Sequence, residues 1–213
     1  MDIQFDVTLL LIGLTCACSV YAWSSTELYE KWVMAPYFVH RRGEWYRFLT
    51  SGFLHADVPH LAFNMIAFWS FAPSVRAYFD EHYGTSLGLG LFLLLYLSGI
   101  VVSDLPTYFK HRHSPNYLSL GASGGVSSVM FASILFQPLG QIGIAFLPDD
   151  FALPSFVFGF LYLIYSYYQG KRMGDNINHD AHLYGALYGI LFTLVTVPMS
   201  AVYFWQQISA KYL

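Results

Sequence analysis

Four places in the chain set polar or ionisable side chains inside or beside long apolar stretches, where such groups cost free energy and are functional hypotheses by default. Gly121-Ala122-Ser123-Gly124-Gly125 offers a hydroxyl among small residues, and Ala181-His182-Leu183-Tyr184-Gly185, with Gly189 a turn further on, offers an imidazole. His60 and Asn64 stand four positions apart, which puts them on one helix face. Glu44-Trp45-Tyr46-Arg47 is the fourth place. A serine hydroxyl is a poor nucleophile until a neighbouring base takes its proton, and imidazole has the basicity for that near neutral pH. Ser123 and His182 are therefore the minimum pair for acyl transfer. The oxyanion of such a reaction needs donors; the start of the helix that carries Ser123 presents free backbone N–H groups at the positive end of its dipole, that of Ser123 among them. His60 and the amide of Asn64 add side-chain donors.

The elements that must position these groups are membrane helices. Of 213 residues, 56% are hydrophobic and only 11% charged, against roughly 25% charged in an ordinary soluble domain. Apolar stretches near the ~20 residues needed to cross a bilayer recur at about 5–23, 58–79, 85–105, 121–137, 151–168 and 179–204. They lack β-barrel alternation, and only helices or closed barrels satisfy their backbone in lipid. The expected fold is an all-α membrane protein, a bundle of six transmembrane helices forming one domain over residues 1–213. The net charge of −3, from 10 basic and 13 acidic residues without a basic block, gives no nucleic-acid surface. Residues 1–6 hold no lysine or arginine, so the first stretch reads as a retained anchor rather than a cleaved signal. Cys16 and Cys18 are two apart on that stretch, a spacing that points them apart on a helix and disfavours a disulfide.

Even-numbered spans all start on the same side, and Ser123, His182 and His60 each lie just inside the start of an even span. The three can thus meet at one shallow level beneath one membrane face. A Ser–His hydrogen bond requires the fourth and sixth spans to approach closely, and the glycine pairs Gly121 with Gly125 and Gly185 with Gly189 have the spacing that lets backbones touch in membranes.

These motifs resemble the signature of the rhomboid protease family: Gly-x-Ser-Gly opening one helix, Ala-His-x-x-Gly-x-x-x-Gly opening another, and His-x-x-x-Asn in an earlier one, in the family's order. Glu44 to Ser51 and Phe53-Leu54-His55-Ala56 resemble the family's first loop and the approach to its second helix. The resemblance runs from about Glu44 to Gly189. It implies a rhomboid-like bundle in which Ser123 is the nucleophile, His182 the general base and then acid, and His60 with Asn64 the oxyanion-hole donors, with no third acidic member, no cofactor and no metal. The implied substrates are single-span membrane proteins cut in or next to their transmembrane segment, small side chains preceding the cut. The implied place is a bacterial inner (plasma) membrane with the site opening to the extracytoplasmic side. Two features depart from the family pattern. Many relatives carry a tyrosine one turn after the nucleophile, packed on the imidazole, where this chain has Ser127, so an aromatic from elsewhere is expected to hold the ring. The connectors on the outer side hold Lys31, Arg41, Arg42, Arg47, Lys110, Arg112, Lys171 and Arg172, and the inner side only Arg76 and Lys211, the reverse of the positive-inside bias.

Plainer readings stand beside these. Gly121 to Gly125 matches a Gly-x-Ser-x-Gly nucleophile elbow, but that motif needs a preceding strand and an α/β sheet. Ser123 alone is a packing residue, a lone histidine a satisfied buried polar group, and Asn64 an interhelical hydrogen-bonding residue. His55 reads as an interfacial or loop-packing residue, Asp180 as an N-terminal cap or helix-start charge, and Glu44 with Arg47 as a brace. Two competing functions are an inactive rhomboid-like binder of membrane helices, which has no use for the Ser–His pair, and a metal or proton transporter using His55, His60, His179 and His182, which lacks intramembrane carboxylates and a repeated pair of spans.

Overall fold

The computed structural model describes residues 6–143, 151–172 and 177–213. Helix α1 (Val7–Ser24) begins with the Asp6 carboxylate accepting from Thr8 N. The long connector that follows is folded, holding α2 (Thr26–Trp32), α3 (Pro36–Arg42), α4 (Arg47–Thr50) and a 3-10 turn (Ser51–Phe53). Its centre is Arg47, only 4% exposed. Nε donates to Glu44 at 2.6 Å, and Nη1 donates to the carbonyls of Glu30 at 2.7 Å and Val33 at 2.8 Å. The expected Glu44–Arg47 brace is thus present and reaches further than a pair, because the guanidinium's fork also satisfies carbonyls at the end of α2.

Then come α5 (Val58–Tyr83), α6 (Thr85–Ser103), α7 (Leu105–His111), α8 (Ser123–Phe136), α9 (Ser155–Arg172), α10 (His179–Thr196) and α11 (Ser200–Tyr212). Helix α5 outruns the expected stretch and leaves only Gly84, at φ +77°, as the turn into α6. The third stretch ends at Ser103, and α7 opens beyond Asp104 with Pro106 in its first turn, where a missing N–H costs nothing. The fifth starts at Ser155 rather than Phe151, because Leu153–Pro154 (β2) pairs antiparallel with Gln141–Ile142 (β1). The expected sixth stretch to Phe204 is not one helix. It breaks at Val197 to Met199, around Pro198, and α11 leaves at 105° to α10, as a proline that cannot continue the helix requires.

By length and composition, Val7–Ser24 and Thr85–His111 are long and apolar enough to cross a membrane, and α10 with α11 passes only as a bent pair. The protein is an integral membrane protein with an all-α architecture. One core cluster joins α1, α5, α6, α8 and the end of α10 through Leu11, Phe68, Phe79, Phe92, Tyr96, Ile100, Val129 and Val197. The helices alternate in direction. At one end the starts of α5 and α8 meet, where His60 lies against Gly121. At the other, Tyr83 of α5 donates to the carbonyl of Thr196 of α10, and Gln207 of α11 donates to the carbonyl of Phe136 of α8 at 3.3 Å. Helix α8 is the hub, with twelve of its residues buried.

Candidate active site

Glycine decides how near the neighbours of α8 can come. A Cβ on Gly185 would fall on the backbone of Gly124, and one on Gly189 on the backbone of Ser128. Helices α8 and α10 therefore touch backbone to backbone over a full turn. Ser123 stands one residue before Gly124, and His182 three residues before Gly185. On the other side of α8, a Cβ on Gly99 of α6 would meet Ser128, and one on Gly125 would lie 2.8 Å from the Tyr96 carbonyl. The expected pairing of Gly121 with Gly125 along one ridge does not hold. Gly121 precedes the helix, Gly125 faces α6, and Gly124 with Ser128 receives α10.

Gly121 has a different task. Its φ of +125° is a region that L side chains rarely adopt, and a Cβ there would sit 2.9 Å from both Cε1 and Nε2 of His60. The bare glycine lets the His60 ring come up against the strand of chain leading into Ser123. The Nδ1 of that ring accepts from Ala56 N at 3.4 Å, so a neutral imidazole carries its proton on Nε2, the edge turned toward Gly121. One turn on, buried Asn64 donates through Nδ2 to the His60 carbonyl at 3.0 Å, which leaves its second amide hydrogen for another acceptor.

His55 proves to be more than loop packing. It is 2% exposed. Ala122 N donates to its Nε2 at 3.3 Å, so Nδ1 bears the proton and donates to Ser19 Oγ at 3.0 Å, and Ser19 in turn donates to the Phe53 carbonyl at 3.0 Å. Each donor meets one acceptor from α1 through the connector to the residue before Ser123. Trp23 Nε1 adds a bond to the His55 carbonyl at 2.8 Å. Burial, followed by the nearby His60 ring at 4.9 Å, pushes the His55 imidazole down to about 3.

The start of α10 is held equally firmly. Asn178 caps it by accepting from Ala181 N at 3.2 Å, accepts from Thr107 Oγ1 at 3.1 Å, and donates to the buried Asp104 carboxyl at 3.2 Å. Asp180, expected as a cap or helix-start charge, leaves the cap to Asn178, stands in the first turn and pairs with Lys110 at 3.0 Å. His182 lies one turn in, with the edge of the His179 ring 5.7 Å away and the Tyr162 ring of α9 stacked on it at 6.2 Å. Tyr162 is hydrogen-bonded through its hydroxyl to Ser127 Oγ at 2.6 Å. The aromatic that the Ser127 position lacks thus comes from another helix. Among the described residues, no group of three or more His, Cys, Asp or Glu side chains is gathered to hold a metal ion.

A rhomboid domain model matches residues 42–199. The chain belongs to the rhomboid family. YdcA of Bacillus subtilis, named as a rhomboid protease, is 30% identical over 160 residues, 73% of this chain and 69% of YdcA. The rhomboid protease GluP of the same organism is 39% identical over 85 residues, 40% of this chain and 14% of GluP. The mitochondrial presenilin-associated rhomboid-like protein of Homo sapiens is 34% identical over 148 residues, 68% of this chain and 36% of that protein. This rhomboid spans about a third of the length of the mitochondrial relatives it matches.

Tyr162, Asn178 and the hydrogen-bonding role of His55 escape sequence reasoning. Tyr162 is one of several tyrosines on α9, and aromatics there read as headgroup anchors. Its signal lay in the gap at Ser127. Asn178 stood in a polar run with the form of an N-cap, directly before the helix of His182.

Proposed function

We propose that this rhomboid is an intramembrane serine endopeptidase in which Ser123 and His182 form the catalytic dyad. The observation that carries the reading is the backbone contact of Gly124 with Gly185, which sets the start of α8 beside the first turns of α10 with no side chain between them. Ser123 Oγ attacks the scissile carbonyl while His182 takes its proton. The resulting oxyanion is met by the Ser123 N–H at the helix start, by His60 Nε2–H and by the remaining amide hydrogen of Asn64. His182 then hands its proton to the leaving amine. Water, deprotonated by the same ring, hydrolyses the acyl-enzyme and frees Ser123. The family's protease-named members support the chemistry.

In this reading α1, α5, α6, α8, α9 and α10 are the six crossing helices of a single membrane domain. The substrates are single-span membrane proteins, cut in or beside the membrane segment after small side chains. The protein sits in a bacterial plasma membrane, with the starts of α5, α8 and α10 on the extracytoplasmic side. Folding of the connector around Arg47, and pairing of Lys31 with Glu27 and Lys110 with Asp180, support its translocation despite its charge. A reporter fused after Leu213 is expected on the cytoplasmic side; an extracytoplasmic signal would invert the orientation. The test of function is incubation of purified protein with a single-span substrate, comparing wild type with Ser123→Ala and His182→Ala. Both variants should be silent, and equal cleavage by wild type and Ser123→Ala would remove Ser123 from the mechanism.

A further inference from the structure

We infer that Tyr162 of α9 is the positioning residue for the His182 imidazole, and that Ser127 holds Tyr162 in place for that task; the inference rests on the dyad proposed above. Ser127 is one turn after Ser123, on the same face of α8, and is 2% exposed. Its Oγ and the Tyr162 hydroxyl are 2.6 Å apart. That bond fixes the far end of the phenol. The ring itself is fixed by Phe131 of α8 at 5.7 Å and by Phe158 of α9 at 6.2 Å. The phenol ring lies at 20° to the His182 ring, with the two centroids 6.2 Å apart. An aromatic plane in this orientation restricts rotation of the imidazole about its side-chain bonds, as offset-stacked rings do.

The three contributors come from three helices. Ser127 sits on the helix of the nucleophile, Tyr162 on α9, and His182 on α10. Helix α9 buries only Ser155, Gly159 and Ser166 fully, so it is the least embedded of the three, and the orientation of the base depends on its staying docked. Gly159, one turn before Tyr162, helps by letting α9 lie against Ile134 and Phe131, where a Cβ would come to 3.1 and 3.4 Å.

The test uses the full chain in detergent micelles with Tyr162→Leu, Tyr162→Phe, Ser127→Ala and the Tyr162→Phe/Ser127→Ala pair. Cleavage of a single-span substrate gives kcat and KM, melting gives stability, and the ring resonances of His182 report the stack without any turnover. Tyr162→Leu should lower kcat by about 10²-fold, the size expected of a misaligned catalytic group, with KM little changed and the His182 ring signals displaced. Tyr162→Phe and Ser127→Ala delete the same hydrogen bond, so each should lose a smaller factor and the double variant no more than either alone. Unmoved His182 resonances in Tyr162→Leu would overturn the inference, as would additive losses in the double variant. Cleavage by Ser123→Ala at the wild-type rate would instead overturn the protease reading, while the resonances still decided whether Tyr162 orients His182.

Discussion

Acidification should destabilise this rhomboid through His55, and the size follows from its surroundings. The imidazole accepts a hydrogen bond at Nε2 and faces His60 4.9 Å away, so a second proton would break the bond from Ala122 and place charge in a buried site. The folded chain takes up that proton only near pH 3, against 6.5 for an unperturbed histidine. Between those values the unfolded chain binds more protons than the folded one, so stability rises with pH. The contribution is fully present above about 6.5 and is lost as the pH falls, at up to ~1.4 kcal/mol per unit. That is about 2 kcal/mol at pH 5 and about 3 kcal/mol at pH 4. The assay is thermal unfolding in micelles from pH 7.5 to 4, wild type against His55→Gln, whose amide can accept from Ala122 and donate to Ser19 without titrating. The variant should start lower at pH 7.5 and have the shallower slope below 6.5. Parallel curves for the two proteins would refute the reasoning.

Replacing Gly185 by Leu sets a side chain onto the Gly124 backbone and should cost about 1–3 kcal/mol of stability as overpacking, with cleavage lost while the protein still folds; full activity at unchanged stability would show that the helices need not touch. Gly121→Ala must adopt φ +125° and displace His60, so kcat should drop with little change in KM, read from initial rates. Arg47→Lys cannot serve Glu44 and two carbonyls together; it should lower the melting temperature and open the connector to protease, because a point charge does not replace the guanidinium fork.

The helical stretches and the residues at their starts were readable because lipid imposes a simple rule: long apolar runs must be helical, and polar groups within them stand out. Short-range periodicity also put His60 and Asn64 on one face, and the carbonyl bond between them agrees. What the chain did not reveal depends on relations across the fold. Gly121 looked like a ridge partner of Gly125, but its φ of +125° puts it outside the helix and gives the space to His60. His55 lies in a loop, where no period says which way a ring points, and its partners are 36 and 67 positions away in sequence. The apolar run up to Phe204 concealed the 105° turn after α10, because composition carries through Pro198 where geometry does not.

Helix α8 has 14 residues, about 21 Å of rise, short of the ~30 Å of hydrocarbon a bilayer presents. With its flanks occupied by α5 and α6 on one side and α10 on the other, it owes its place to protein rather than to lipid. During synthesis it emerges after α5 and α6 and before α10, so it enters the membrane with only part of its sheath made. Its stable seating awaits the last long helix, and a chain interrupted before α10 would leave the segment that carries Ser123 packed on one flank only.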